Sequence, residues 1–360
     1  MNTRQKILIR FPAAIVTVAL MVLAAELFDE PEIIFPEIAA LTVGAFLSDH
    51  MPWKVTSIRM LLLMSVSALM GYGLSAFVPL PMFLKVMIAF IVCIFALGAA
   101  KSTMLPMLSA GILPILTNVQ SIIYPLSVLI LTAAVIGIRL LLEEYGVVDV
   151  NQYDYEDPEP KMEWVRRLWL ILGFGIMAAV AIGSGMICLI APPLAVIFAE
   201  AAEIESPVHK APLRFFLCTV LCTFFGTSCR LVCVDLFRLP LTVGATAAAA
   251  GAIGLLMIFR KPFPPAAALA VLPFILSEEM VMVYPFQVTA GCGVFIGLDV
   301  LYRTAMEKGL WQRAADSVID FVLSLQIIQP EKLPAEHPGE PAAAGESVEE
   351  VKQQNVRSRI

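Results

Sequence analysis

A chain of 360 residues that is 59% hydrophobic and only 15% charged, with a mean hydropathy of +0.85, carries more apolar surface than a water-soluble fold of that length can bury. Soluble domains are roughly 25% charged, so the composition excludes an ordinary cytosolic enzyme and points to a membrane protein. The net charge of −6 says little about partners, because much of the acid is gathered in residues 143–163 and after Pro330, and no basic patch with interleaved aromatics suggests nucleic acid.

Apolar segments are predicted in chain order at 11–28, 33–47, 57–78, 84–99, 102–118 and 122–142, then at 168–190, 192–203, 212–234, 239–259, 262–276 and 281–302. The fold class is therefore all-α, a polytopic transmembrane helical bundle. A straight crossing needs roughly 20 residues. Several segments fall short of that and the shortest carry prolines, so half-spans or re-entrant pieces are expected, and ten crossings stand as the alternative to twelve. The first segment follows Arg4, Lys6 and Arg10 and ends near Ala24-Ala25-Glu26, as a signal peptide would. Its counterpart at 168–190 makes it part of the fold instead.

The two sets of six repeat one another. Pro52 and Arg59 in the first half answer to Pro207 and Arg214 in the second, offset by 155, while Lys101 and Tyr124 answer to Lys261 and Tyr284, offset by 160. Internal duplication of a polytopic unit is common in secondary transporters, with the working site between the copies. The domains expected are a first transmembrane repeat at 1–145, an acidic linker at 146–167, a second repeat at 168–305, an amphipathic helix at 306–329 and a disordered tail at 330–360. Trp311, Val318, Phe321, Val322 and Leu325 share one face of that amphipathic helix. Cations cluster at alternate loops, among them Lys54, Arg59, Lys101, Arg166, Lys210 and Lys261, while the other loops hold Asp29-Glu30-Pro31-Glu32 and Ser277-Glu278-Glu279. The positive-inside rule then puts both termini in the cytoplasm of a multi-pass inner-membrane protein and makes the repeats parallel.

No phosphate-binding loop, dinucleotide fingerprint or zinc-protease helix is present, so neither an enzyme nor a cofactor or metal is expected. The three histidines, His50, His209 and His337, fall in loops or the tail, where solvated rings are the expectation. Cys218, Cys222, Cys229 and Cys233, spaced 4, 7 and 4, lie within about 60° of one another around a helix. Thiolates suit soft metals, but with no His or Met box beside them the stripe reads as small side chains that let helices approach.

The candidate transport residues lie on the proline-broken segments. Arg260, Lys261, Pro264 and Pro265 open one, and Lys101 and Pro106 open its counterpart. Proline suits a first helical turn, whose free N–H groups and dipole favour an anion, although the cations equally serve as topology anchors. Ionisable residues inside a membrane are costly and mark function or pairing: Glu37 and Glu200 are candidates for a proton or substrate contact. Arg139 and Asp299, offset by 160 with opposite charge, are the candidate structural ion pair.

The segment Ala191-Pro192-Pro193-Leu194-Ala195-Val196-Ile197-Phe198-Ala199, the loop from Ser206-Pro207 to Arg214, and Phe263-Pro264-Pro265-Ala266-Ala267 resemble the HPP family of integral membrane proteins. The likeness covers about 168–302, the first half being a more divergent copy. Phe263 stands where the family's signature histidine would be, and the glycines expected near Pro193 and Ala267 are absent, so no role of that histidine carries over. Some members are linked to nitrite, which implies a small inorganic anion as substrate. The expected function is a transporter of a small anion that rocks two repeats around a central site. The alternatives are an exporter of small organic or aromatic acids with partner subunits, similar in layout to fusaric-acid-resistance exporters, and a non-transporting scaffold or sensor. The bilayer is the partner implied; homo-oligomerisation is left open by the sequence.

Overall fold

The computed structural model describes residues 3–48, 51–150, 160–203, 206–259 and 263–308, and the regular elements among them are all helical. The first half runs through α1 (Thr3–Phe28), α2 (Glu37–Thr42, prolonged by a π-helical turn at Val43–Leu47), α3 (Ser57–Phe77), α4 (Met82–Ala99), α5 (Met107–Leu116) and α6 (Ile123–Glu144). The second runs through α7 (Pro160–Gly183), α8 (Pro192–Ala201), α9 (Pro212–Cys229, with a π-helical turn at Arg230–Leu236), α10 (Leu241–Phe259), α11 (Pro264–Val271, continued by a 3₁₀ turn at Leu272–Ile275) and α12 (Glu278–Glu307). The order long, short, long, long, short, long therefore occurs twice. Eight helices among the described residues are long and apolar enough to cross a bilayer, and the four short ones are α2, α5, α8 and α11. The chain is an all-α polytopic membrane bundle. The amphipathic segment and the tail predicted at 306–329 and 330–360 lie, beyond residue 308, outside the described residues.

Local chemistry sets the ends. Prolines occupy the first turn of α8, α9 and α11, where a missing N–H costs nothing. α1, α4 and α5 each close in a left-handed residue, Asp29, Lys101 and Asn118, with φ of 54°, 47° and 52°. In all three the following N–H reaches back to the carbonyl five residues earlier, for instance Ser102 N to Leu97 O at 3.0 Å and Val119 N to Pro114 O at 2.9 Å. This capping motif satisfies carbonyls that would otherwise face lipid unpaired.

The long and short helices divide the work of solvation. The long ones turn large apolar side chains outward, such as Leu20, Phe77, Ile130, Ile176 and Phe286, as expected of surfaces in contact with acyl chains. The short ones bury nearly everything: all of α2 and α11, and α8 apart from Glu200. A helix apolar all round belongs inside, and here the four broken helices are the interior of a ring made by the long ones.

The copies are interlocked rather than side by side. α1 packs on α10 and α2 on α11, while α7 packs on α4 and α8 on α5. α1, α2 and α7 thus find their main helical partner in the other copy, whereas α8 is shared between α5 and its own copy's α11 and α12. The carboxylate of Glu26 at the end of α1 caps the start of α10, accepting from the N–H groups of Leu241 and Thr242 and from the Thr242 hydroxyl. On the reciprocal seam the Arg167 guanidinium of α7 lies over the Phe95 ring of α4, 5.4 Å from its centroid, and Phe174 stacks on Phe90 at 4.1 Å.

Equivalent contacts recur within the copies. Tyr124 donates its hydroxyl to Ala110 O at 2.9 Å and Tyr284 to Leu269 O at 2.7 Å, tying α6 to α5 and α12 to α11. Gly71 of α3 meets Gly111 of α5 and Gly226 of α9 meets Ala270 of α11 so closely that an added Cβ would lie 2.2 and 2.1 Å from the facing carbonyl oxygens. Glycine lets the backbones approach in a setting where close packing, not hydrophobicity, holds helices together.

Candidate functional site

The broken helices converge where the two copies meet, and a cavity of about 310 Å³ opens at one end of that junction. Leu113, Leu116 and Thr117 from the end of α5 form one wall; Ile187, Cys188 and Pro192 at the approach to α8 and Leu272 to Met280 around the end of α11 form the other. The lining is mostly apolar, with Thr117, Cys188 and Ser277 as its polar members. The Cys188 N–H is engaged by Gln287 Oε1 at 3.1 Å, which fixes the approach to α8 against α12. The cavity adjoins Ser277-Glu278-Glu279, at the acidic end of the bundle.

The predicted cations are elsewhere. Lys101 is exposed in the turn that closes α4, before α5 begins, whereas the cavity lies at the far end of α5. Its left-handed backbone and its place just past the α4 C-terminus make it a helix cap whose charge complements the dipole. Its neighbours agree: the Lys54 N–H donates to Thr103 Oγ1 at 2.8 Å, and the Arg59 guanidinium donates to Ala100 O at 3.4 Å. Pro106 is buried at the start of α5, and Pro264 and Pro265 are buried in the first turn of α11. Arg260 and Lys261 lie outside the described residues.

Phe263 is 1% exposed and its ring meets Phe215 edge to face at 4.7 Å.

Arg139 and Asp299 do not pair with one another. Arg139 holds Glu143 at 2.7 Å, donates to Ala45 O at the end of α2, and donates to Asp149 O at 2.6 Å. Asp299 stands 3.3 Å from His209, whose Nε2 also bonds Ala201 O at the end of α8. The correction has a geometric reason: equivalent positions in parallel copies occupy equivalent places, and each side chain latches its long last helix to the end of its own copy's short second helix. The next turn repeats the inversion, since Glu143 and Arg303 are also 160 apart (303 − 143) and carry opposite charge. Each latch therefore keeps one cation and one carboxylate with the polarity exchanged.

His209 is the residue that sequence reasoning missed. Expected in a solvated loop, its side chain is 4% exposed. Burial holds the imidazole below its ordinary value, the Ala201 carbonyl opposes that, and the Arg303 charge adds to it. The available signal was its position, nine residues beyond Glu200 on the approach to Arg214.

Among the described residues no three His, Cys, Asp or Glu side chains are grouped as metal ligands would be. Cys218 and Cys222 lie buried in α9 with Thr219, Thr223, Gly226 and Thr227; Cys229 and Cys233 are half-buried.

Glu37 occupies the first position of α2, buried at the junction, and Glu200 the penultimate position of α8, half-buried at its opposite end. The candidate acids are thus not brought together. No family model matches the chain, and none of the curated proteins or solved structures matches it either.

Proposed function

We propose that the protein is a transporter of small anions, built around the junction of the four broken helices. The observation that carries this reading is the cavity between the end of α5 and the approaches to α8 and α12, walled by both copies. A scaffold needs only a dry, filled seam. Transporter sites are commonly formed where discontinuous helices from two repeats meet. The HPP-like segments at 192–199 and 263–267 both belong to this junction, which supports placing the chain with that family in the same reading. The basic ends of the helices face the cytoplasm of the inner membrane on this view.

The lining favours the organic-acid reading over nitrite. Ligand pockets fix apolar bodies by contact and orient them through few polar groups, and Thr117, Cys188 and Ser277 are such a set around an apolar wall. The moving bodies are not the two sequence copies, because those are interlocked. α1 and α2 travel with α9–α11, and α7 and α8 with α3–α5, leaving α6 and α12 as the straps between them.

Uptake into proteoliposomes of radiolabelled nitrite, formate and benzenesulfonate tests this directly. Ala191→Phe, which projects a ring from the approach to α8 into the cavity, is expected to cut uptake about tenfold with unchanged insertion. Wild-type uptake of all three probes at the level of empty liposomes would end the reading.

A further inference from the structure

Glu37 is the only titratable residue in α2 and its π-helical extension, and it is 2% exposed. Neither of its carboxylate oxygens has a hydrogen-bond partner among the described residues. The Ser109 hydroxyl of α5, fully buried and also without a partner, faces it across the junction without closing a hydrogen bond. Two orphaned polar groups pointing at one another in the apolar centre of a membrane protein need a reason, because each forfeits hydration with no return.

Among the described residues the surroundings supply no counter-charge. Tyr124 and Tyr284 lie within electrostatic reach of Glu37, but both spend their hydroxyl protons on the carbonyls of Ala110 and Leu269. α11, packed along α2, has no titratable side chain, and those of α1, Arg4, Lys6, Arg10 and Glu26, stand near its two ends. Arg139 and Glu143 of α6 engage the far end of α2, and Glu200 the far end of α8. A carboxylate buried without a hydrogen-bond partner or a cation is far costlier than the neutral acid, so this setting favours the protonated form. The fold itself does not demand an acid: at the offset of 155 that pairs Pro52 with Pro207, Glu37 answers to Pro192, the first residue of the matching helix α8.

We propose that Glu37 is a proton-carrying site, holding its proton while α2 and α5 are closed on each other across the junction and giving it to water when they part, so that substrate movement is coupled to a proton gradient. The O–H bond of the acid breaks, the proton leaves as hydronium and the carboxylate stays behind, hydrated; closure requires the reverse. The coupling rests on the transporter reading, whereas the proton site does not.

Two measurements separate them. Infrared spectra of the purified protein in lipid are expected to show the carbonyl stretch of a protonated carboxylic acid at neutral pH, lost in Glu37→Gln and retained, displaced, in Glu37→Asp. An undiminished band in Glu37→Gln, in protein that elutes and inserts normally, overturns the proton site. In proteoliposomes the probe is benzenesulfonate, which stays ionised and does not leak as a neutral acid. An inward proton gradient is expected to stimulate wild-type uptake several-fold, and Glu37→Gln to abolish that stimulation while leaving counterflow intact. Stimulation that survives the substitution overturns the coupling. A wild-type protein that moves no benzenesulfonate overturns the coupling as well, and the infrared band then decides the proton site alone.

Discussion

At the scale of single residues, the two latches account for most of the buried charge outside Glu37. Arg139 is 3% exposed and serves three acceptors, Glu143, Ala45 O and Asp149 O. Arg139→Gln is expected to cost about 3–5 kcal/mol, as removal of one partner of a buried pair does, read as a lowered unfolding midpoint in detergent. Exchanging Arg139 and Asp299 is expected to rescue nothing, while exchanging Arg139 with Glu143 should recover part of the loss, because only the latter two touch. His209 gives a pH dependence. Its folded imidazole titrates below the ordinary 6.5 through burial, so the unfolded chain protonates first as the pH falls. Its contribution is therefore whole above about pH 6.5 and is lost on acidification; the midpoint of the wild type should fall from neutral to mildly acidic pH more steeply than that of His209→Gln. Phe263→His puts an imidazole against Phe215 and is expected to destabilise by about 1–3 kcal/mol for want of a hydrogen bond, measured by the same unfolding assay.

At the scale of elements, the short helices are held by backbone contact. A methyl group at Gly71 or Gly226 would meet the facing carbonyl oxygens at 2.2 or 2.1 Å, neither of which can swing away. Gly71→Ala and Gly226→Ala are each expected to lose about 1–3 kcal/mol by overpacking. Gly73→Ala, which meets nothing within 4 Å, should stay within about 0.5 kcal/mol of wild type. Equal losses at Gly71 and Gly73 would show that helix propensity, not the α3–α5 contact, sets the result. Lys101→Gly separates the two roles of that residue: glycine keeps the left-handed cap at φ near 47° and removes the charge. Unchanged uptake in this variant is the expected outcome for a cap and topology anchor.

At the scale of the molecule, the interlocking of the copies governs folding and motion together. α1 and α2 find their main helical partners in the second half and α7 finds its own in the first, while α8 bridges α5 and α12. Cutting the chain between Gln152 and Glu159 and expressing the halves separately is expected to give two unstable fragments, whereas co-expression should restore a complex that purifies as one. A first half that is stable and monodisperse alone would contradict the exchange. Interlocking also makes wide separation of the halves costly, so movement at the junction is confined to tilting of the composite bodies about α6 and α12.

The sequence by itself determined the membrane class, the apolar segments, the duplication and the prolines that open the short helices, because hydropathy and backbone chemistry act over a few residues. It marked Glu37 as exceptional, since an acid in an apolar segment is visible without knowing its neighbours. Only the tertiary structure decided that Arg139 and Asp299 serve separate latches, that His209 is buried, that Lys101 and the cavity lie at opposite ends of α5, and that α1, α2 and α7 find their main helical partners in the other copy. Those are matters of which surfaces meet. A repeat aligned residue by residue shows which positions are equivalent, but equivalence under a pseudo-twofold axis does not say whether two side chains touch across it or stand apart around it, and that distance is set by packing of the four broken helices at the centre.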